Sequence, residues 1–111
     1  MREGDLVIVP MPQADGMTKN RPAIVLREMP PYRDLLICGV STQLRNAARD
    51  LDELISPGDV DFVTSGLRQQ SLIRLSYVVV MPRRRIAGSI GSISTERHKR
   101  LLRRLSEYLV R

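Results

Sequence analysis

Residues 4–26, GDLVIVPMPQADGMTKNRPAIVL, place two β-branched apolar runs on either side of a polar loop, and this arrangement constrains the fold more than any other part of the chain. In Leu6-Val7-Ile8-Val9 and Ala23-Ile24-Val25-Leu26 the branched side chains favour an extended, pleated backbone, while the Gly, Asp, Asn and Pro between them favour turns. The two runs are expected to pair antiparallel across a loop at residues 10–20. Pro22 fixes its own φ and keeps Arg21 out of the helical region, so the guanidinium is carried on stiff, extended chain. That suits a group meant to meet a ligand in one place. An Arg-Pro pair beside a turn is also ordinary protein surface, so the dipeptide alone assigns no function. The loop holds one carboxylate, Asp15, and forms a candidate wall of a site.

A chain of 111 residues is read as a single domain, large enough to bury a core without staples. No apolar run approaches the roughly 20 residues a membrane helix needs, and the start, MREGDLV, lacks the apolar core of a signal peptide. A soluble cytoplasmic protein with no membrane partner is expected. Cys38, the only cysteine, permits no internal disulfide and lies in Leu35-Leu36-Ile37-Cys38, where it reads as a buried small hydrophobe and not a nucleophile. The net charge of +6 invites a nucleic-acid reading, but its distribution matters more. Residues 1–82 carry a net −1 and residues 83–111 a net +7, much of it on one predicted helix, where a solvated face competes with a phosphate track. With no Trp, one Phe and three Tyr, the chain has few platforms for stacking bases, so any RNA contact should lean on phosphate and backbone.

Residues 28–34, with Pro30-Pro31, read as a connection into a third strand at residues 35–40, apolar throughout and so buried on both faces. Ser41-Thr42-Gln43 follow it, either as a turn or as a polar cluster at a rim, with the turn preferred on sequence alone. From residue 44 to 55 the spacing of Leu44, Ala47, Ala48, Leu51, Leu54 and Ile55 is helical, yet residues 51–56 end at Pro57-Gly58 as a strand would, and periodicity leaves both open. Residues 59–70 are mostly polar. Residues 71–81 are read as two short strands bent near Ser76-Tyr77, residues 83–86 as an edge piece and residues 89–91 as a turn. Ser94 is a good N-cap for a terminal helix whose apolar stripe is Leu101, Leu102, Leu105, Tyr108 and Leu109, with Arg97, Arg100, Arg103 and Arg104 largely off it. His98, the only histidine, has no second His or Cys near it in sequence, so no metal site of ordinary ligand type is expected.

Four pieces in this order resemble the toxin family called MazF, PemK or Kid, the ribosome-independent endoribonucleases of bacterial toxin–antitoxin pairs. They are Gly4-Asp5-Leu6-Val7, Arg21-Pro22-Ala23-Ile24-Val25-Leu26, Val40-Ser41-Thr42-Gln43, and Gly66-Leu67 with Ser71-Leu72-Ile73-Arg74-Leu75. The resemblance implies a mainly β fold, a compact SH3-like β-barrel with a C-terminal α-helix. It also implies a homodimer, single-stranded messenger RNA as substrate, a cognate antitoxin as partner, no cofactor, and a strand at residues 51–56. Carried over position by position, the family's arginine before proline falls on Arg21, and its hydroxyl residue after the third strand, usually threonine, on Ser41. Thr42 and Gln43 match the flank. Arg74 matches an arginine used by some plasmid-borne members, but their acidic residue two positions later is Ser76 here. The acidic or histidine residue that relatives carry in the first loop has Asp15 as its nearest, offset counterpart.

Cleavage of this kind uses the RNA's own 2′-hydroxyl and needs no metal. Arg21 fits stabilisation of phosphoryl charge, because guanidinium presents a fork of donors, and fits proton transfer poorly, because its pKa is far above neutrality. Ser41 offers a hydroxyl donor, Asp15 could assist the 2′-hydroxyl, and the general base is unassigned. Two other classes remain open: a protein-binding toxin of the same barrel, like the gyrase poison CcdB, acting through its C-terminal helix, and a barrel that binds RNA without cutting it.

Overall fold

The alternation of the first two runs is realised on both faces of one sheet. In the computed structural model, which describes residues 1–111, β1 (Asp5–Pro12) and β2 (Thr18–Met29) pair antiparallel, with Leu6 opposite Ile24 and Val9 opposite Arg21. Leu6 and Ile24 join Cys38 and Leu101 in one buried cluster, while Val7, Val9 and Ala23 join Ile37 and Met81 in a second. The connecting loop is shorter than expected, since pairing continues through Pro10 opposite Asn20 to Pro12 opposite Thr18. The prolines are tolerated there because β1 has lost its other neighbour beyond Ile8 and is an edge strand.

Four further strands, β3 (Asp34–Ser41), β4 (Glu53–Ile55), β5 (Ser71–Met81) and β6 (Gly88–Ser92), complete a six-stranded antiparallel sheet in the order β4-β5-β3-β2-β1-β6, curled into a half-barrel. This is the mainly β fold with a C-terminal helix that the sequence implied. Residues 28 and 29 still belong to β2, opposite Leu35 and Asp34, so only residues 30–33 connect it to β3. The ambiguous segment resolves into a 3-10 turn, Leu44–Asn46, a turn that buries Leu51 in the first cluster, and strand β4, which buries Ile55 there and pairs Leu54 with Leu72. The bend expected at Ser76-Tyr77 lies inside one strand. Gly39 pairs with Arg74 but Cys38 with Val78, so residues 75–77 leave the ladder. Asp52 holds this excursion, accepting the Ser76 N–H at 2.9 Å and the Ser76 hydroxyl at 3.0 Å.

Two expectations exchange places. Residues 83–85 form a 3-10 turn, and the segment read as a turn is β6, an edge strand on β1. Its glycine serves close approach: a Cβ on Gly91 would stand 2.2 Å from the Thr64 carbonyl oxygen. Gly66, at φ +78°, ends the short helix α1 (Phe62–Ser65) in the left-handed conformation, and a Cβ there would stand 2.2 Å from the Ile90 oxygen. Helix α1 was not anticipated in residues 59–70.

Helix α2 (Thr95–Leu109) begins as expected, with the Ser94 hydroxyl oxygen accepting the Arg97 N–H at 3.1 Å. Leu101 and Leu105 seal the first cluster, whereas Tyr108 and Leu109, assigned to the same stripe, are exposed. Arg97 departs furthest from expectation. It is buried, its Nε 2.8 Å and its Nη2 3.0 Å from the two oxygens of Asp61, with Asp59 and Glu53 also in contact at 2.8 and 2.7 Å. Arg100 and Arg104 reach Glu53 at 2.9 and 3.5 Å. The basic helix is docked against carboxylates of β4 and the segment leading into α1. No helix is long and apolar enough to cross a membrane.

Candidate active site

Where β2 and β3 part beyond the Ala23–Gly39 pair lie two open hollows of about 380 and 330 Å³ that share one wall, made by Arg21, Pro22, Val40, Ser41 and Thr42. Arg21 reaches this wall because it is cross-strand to Val9 and two residues before Ala23, on the face those two residues bury. Its Nη2 donates to the Gln13 side-chain oxygen at 3.0 Å, leaving the rest of the guanidinium without a protein partner. Ser41 ends β3, and its Oγ accepts the Gln43 N–H at 3.0 Å. This interaction forms the turn expected on sequence grounds, yet it uses only a lone pair and leaves the hydroxyl hydrogen free to donate into the hollows. The Gln43 side-chain oxygen accepts from Asn46 at 3.0 Å, which fixes it at the rim.

Arg74 lines the larger hollow and is cross-strand to Gly39, over which the Tyr77 ring packs, with its Cδ1 3.6 Å from where a Cβ would stand. Its Nε is buried without a partner, and its guanidinium carbon lies 5.7 Å from the centre of the Tyr77 ring, within cation–π range. No arginine–aspartate pair forms here. The nearby carboxylate, Asp52, is engaged with the Ser76 backbone and hydroxyl, and Arg74 makes no ion pair. Asp15 lines neither hollow: its carboxylate accepts the Met17 N–H at 2.9 Å and shapes the tip of the hairpin. Arg21, Ser41, Thr42, Gln43 and Arg74 are thus brought together, and Asp15 is not.

Four contributors were missed from sequence: Gln13 and Tyr77 in the larger hollow, Arg68 and Gln69 in the smaller. Gln13 lay in the loop already marked as a wall, and Arg68-Gln69 lay inside the Gly66-to-Leu75 piece, so position was available though role was not.

The electrostatics of the two hollows differ from the rest of the molecule. Arg21, Arg68 and Arg74 line them and no Asp, Glu, His or Cys does. Around α2 the cations are balanced: burial alone would raise the carboxyls of Asp61 and Glu53, but hydrogen bonds from Arg97 and Arg100 hold both below their usual range. Cys38 is fully buried, and that burial pushes its thiol up to about 12, which makes it inert. His98 is far from the wall in function, with Nε2 2.7 Å from the Leu26 carbonyl oxygen. Nowhere do three His, Cys, Asp or Glu side chains gather as a metal-binding group. The wall is therefore built to receive an anion at fixed hydrogen-bond donors, with no carboxylate to repel it.

No curated protein matches the chain. Among solved structures, the Mycobacterium tuberculosis toxin MazF-mt6 is similar in fold, with a TM-score of 0.64 at 21% identity over 95% of each chain. The sequence itself matches the family described as PemK-like, MazF-like toxin of type II toxin-antitoxin system over residues 2–109. With its half-barrel, its terminal helix and a match along almost its full length, the chain belongs to the PemK-like, MazF-like toxins of type II toxin–antitoxin systems.

Proposed function

We propose that the shared wall is the catalytic centre of an endoribonuclease that cuts single-stranded RNA without a metal ion. The observation that carries this reading is the pairing of three arginines with no acidic side chain in two hollows that meet at Arg21 and Ser41. A phosphodiester seated on the wall has one neighbouring nucleotide for each hollow. The 2′-hydroxyl oxygen attacks the adjacent phosphorus, the bond to the 5′-oxygen breaks, and the products are a 2′,3′-cyclic phosphate and a 5′-hydroxyl. One proton leaves the 2′-oxygen and one reaches the departing 5′-oxygen. Arg21 and the Ser41 hydroxyl stabilise the charge that accumulates on the phosphoryl oxygens, and Gln13 holds the guanidinium in place. Arg74 adds a second cation across the larger hollow. The hollows offer no carboxylate, imidazole or thiolate, the groups that hold catalytic divalent ions.

Arg21→Ala should abolish cleavage of a short single-stranded RNA while the circular dichroism spectrum is unchanged, because a half-exposed arginine without an ion pair contributes little to stability. Arg21→Lys should also cut poorly, since a point charge cannot replace a fork of donors. Parental activity should survive a chelator. Undiminished cleavage by Arg21→Ala would refute the assignment, and tight RNA binding by the parent with no cleavage would favour the non-catalytic barrel.

As a type II toxin the chain has an antitoxin as its partner. We further propose that the antitoxin covers these hollows with an acidic segment that orders on binding, and that the toxin is a homodimer joined through strand surface. The exposed Val78, Val79 and Val80 of β5 support the second point.

A further inference from the structure

We propose that the smaller hollow is a nucleobase site, specific for a purine and for guanine above adenine, that reads one of the two nucleotides flanking the cut phosphate. The inference rests on the endoribonuclease reading for the word "cut" and on separate observations for the rest. The hollow shares Arg21 and Ser41 with its neighbour, so whatever occupies it is adjacent to the group held at the wall. Its sides are apolar at Leu67, Pro22 and Val40, and its polar reach comes from Arg68 and Gln69. Neither of those side chains has a hydrogen-bond or ion-pair partner in the protein, whereas Arg97, Arg100 and Arg83 are committed to carboxylates.

Their backbone is held at both ends. The Leu67 N–H donates to the Ser65 hydroxyl oxygen at 3.2 Å just after α1, and the Ser71 hydroxyl donates to the Gln69 carbonyl at 2.9 Å where β5 begins. Two exposed side chains on a pinned segment, lining the hollow with donors that have no protein partner, are placed to read a base edge. The chemistry selects which edge. A guanidinium matches the paired acceptors of guanine, O6 and N7, and a glutamine amide matches the N6 and N7 of adenine. The amino group of cytosine pairs best with a carboxylate, and none lines the hollow, whereas the Arg68 fork has its best match in guanine. The hollow also has no aromatic ring, so hydrogen bonding carries more of the recognition there than stacking does. The larger hollow differs: Tyr77 and the Arg74 guanidinium offer flat surfaces that accept any base, while the Gln13 and Gln43 side-chain oxygens beside them are already engaged by Arg21 and Asn46. Cleavage should accordingly be strict on one side of the cut and permissive on the other.

The test compares the parent, Arg68→Ala and Gln69→Ala on a randomised single-stranded RNA pool, with cut sites mapped. Binding to RNA blocked by a 2′-deoxy residue at the preferred cut is measured alongside, carrying guanine or 7-deazaguanine beside it. The parent should prefer guanine at one flanking position, and Arg68→Ala should lower that preference by roughly 5- to 150-fold, the scale of one bidentate base contact. Loss of N7 should weaken binding to the parent and leave Arg68→Ala unaffected. Unchanged base preference in both variants, from a parent that cuts, would overturn the base site and leave the nuclease reading intact. A parent that cuts nothing, yet binds blocked RNA with a guanine preference lost in Arg68→Ala, would refute cleavage and retain the base site. Absence of any guanine preference in binding overturns the proposal in either case.

Discussion

The Ser41 oxygen shows how one atom can satisfy two readings that sequence treats as alternatives. It accepts the Gln43 N–H, as a turn serine does, and its hydrogen remains available to a phosphoryl oxygen. Ser41→Ala should lower the single-turnover rate by about one hundredfold or more, the usual scale for removing a donor aimed at transition-state charge. Ser41→Thr keeps both interactions and adds a β-methyl that restricts χ1, so it should cut at the parental rate or faster. Equal rates for Ser41→Ala and the parent would reduce the hydroxyl to its turn role. Arg21 was legible because Pro22 advertises its backbone. Gln13 was not, because nothing in a loop sequence says which side chain will reach back to an arginine eight positions later.

Among the elements, α2 is the one whose outer face the sequence misjudged. Heptad-like spacing locates Leu101 and Leu105 correctly, since that pattern is local, but it places Arg97 with the solvated cations. Only the tertiary arrangement brings Glu53 of β4 and the Asp59 and Asp61 carboxylates to that arginine. Removing one partner from such a buried set leaves uncompensated charge, so Arg97→Ala should cost about 3–5 kcal/mol in chemical denaturation. Lysine should not rescue it, having one ammonium for three carboxylates. The same set predicts an acid response. Asp61 and Glu53 are held below their reference values of 3.8 and 4.5, so the unfolded chain takes up protons first as pH falls. Their contribution is complete above those values and is lost as pH falls through the depressed values of the folded state. Denaturation midpoints at pH 7, 5, 4 and 3 should stay level to pH 5 and then drop, and a level series to pH 3 would contradict the pairing. Strand β6 was misread for a related reason. Its glycines look like turn residues until the carbonyl of Thr64 is seen against Gly91.

For the whole molecule, a net charge of +6 does not say where a nucleic acid would meet it. Arg97, Arg100, Arg104 and Arg111 of the basic C-terminal segment are paired within the fold, and the unpaired cations of the two hollows are Arg21, Arg68 and Arg74. A single strand neutralised at three phosphates should show a slope of about −2 in log affinity against log salt concentration, where engagement of the full net charge would give about −4. Titrations from about 50 to about 300 mM salt distinguish the two. The individual strands and the terminal helix were legible because strand and helix periodicities are written locally, whereas the barrel was expected only from the resemblance to the MazF, PemK or Kid family. The paired hollows were not, because their common wall is assembled from β2 and the end of β3, and the smaller hollow is completed by a segment after α1 that had no pattern of its own. That common wall also bears on the order of events after a cut. In the proposed reaction one phosphate sits on it, and of the two fragments only the cyclic-phosphate end carries that phosphate. The 5′-hydroxyl fragment should therefore lose its hold on Arg21 and depart first, while the cyclic-phosphate fragment should linger and compete with the next strand, so product inhibition by that fragment should be competitive and inhibition by the other weak.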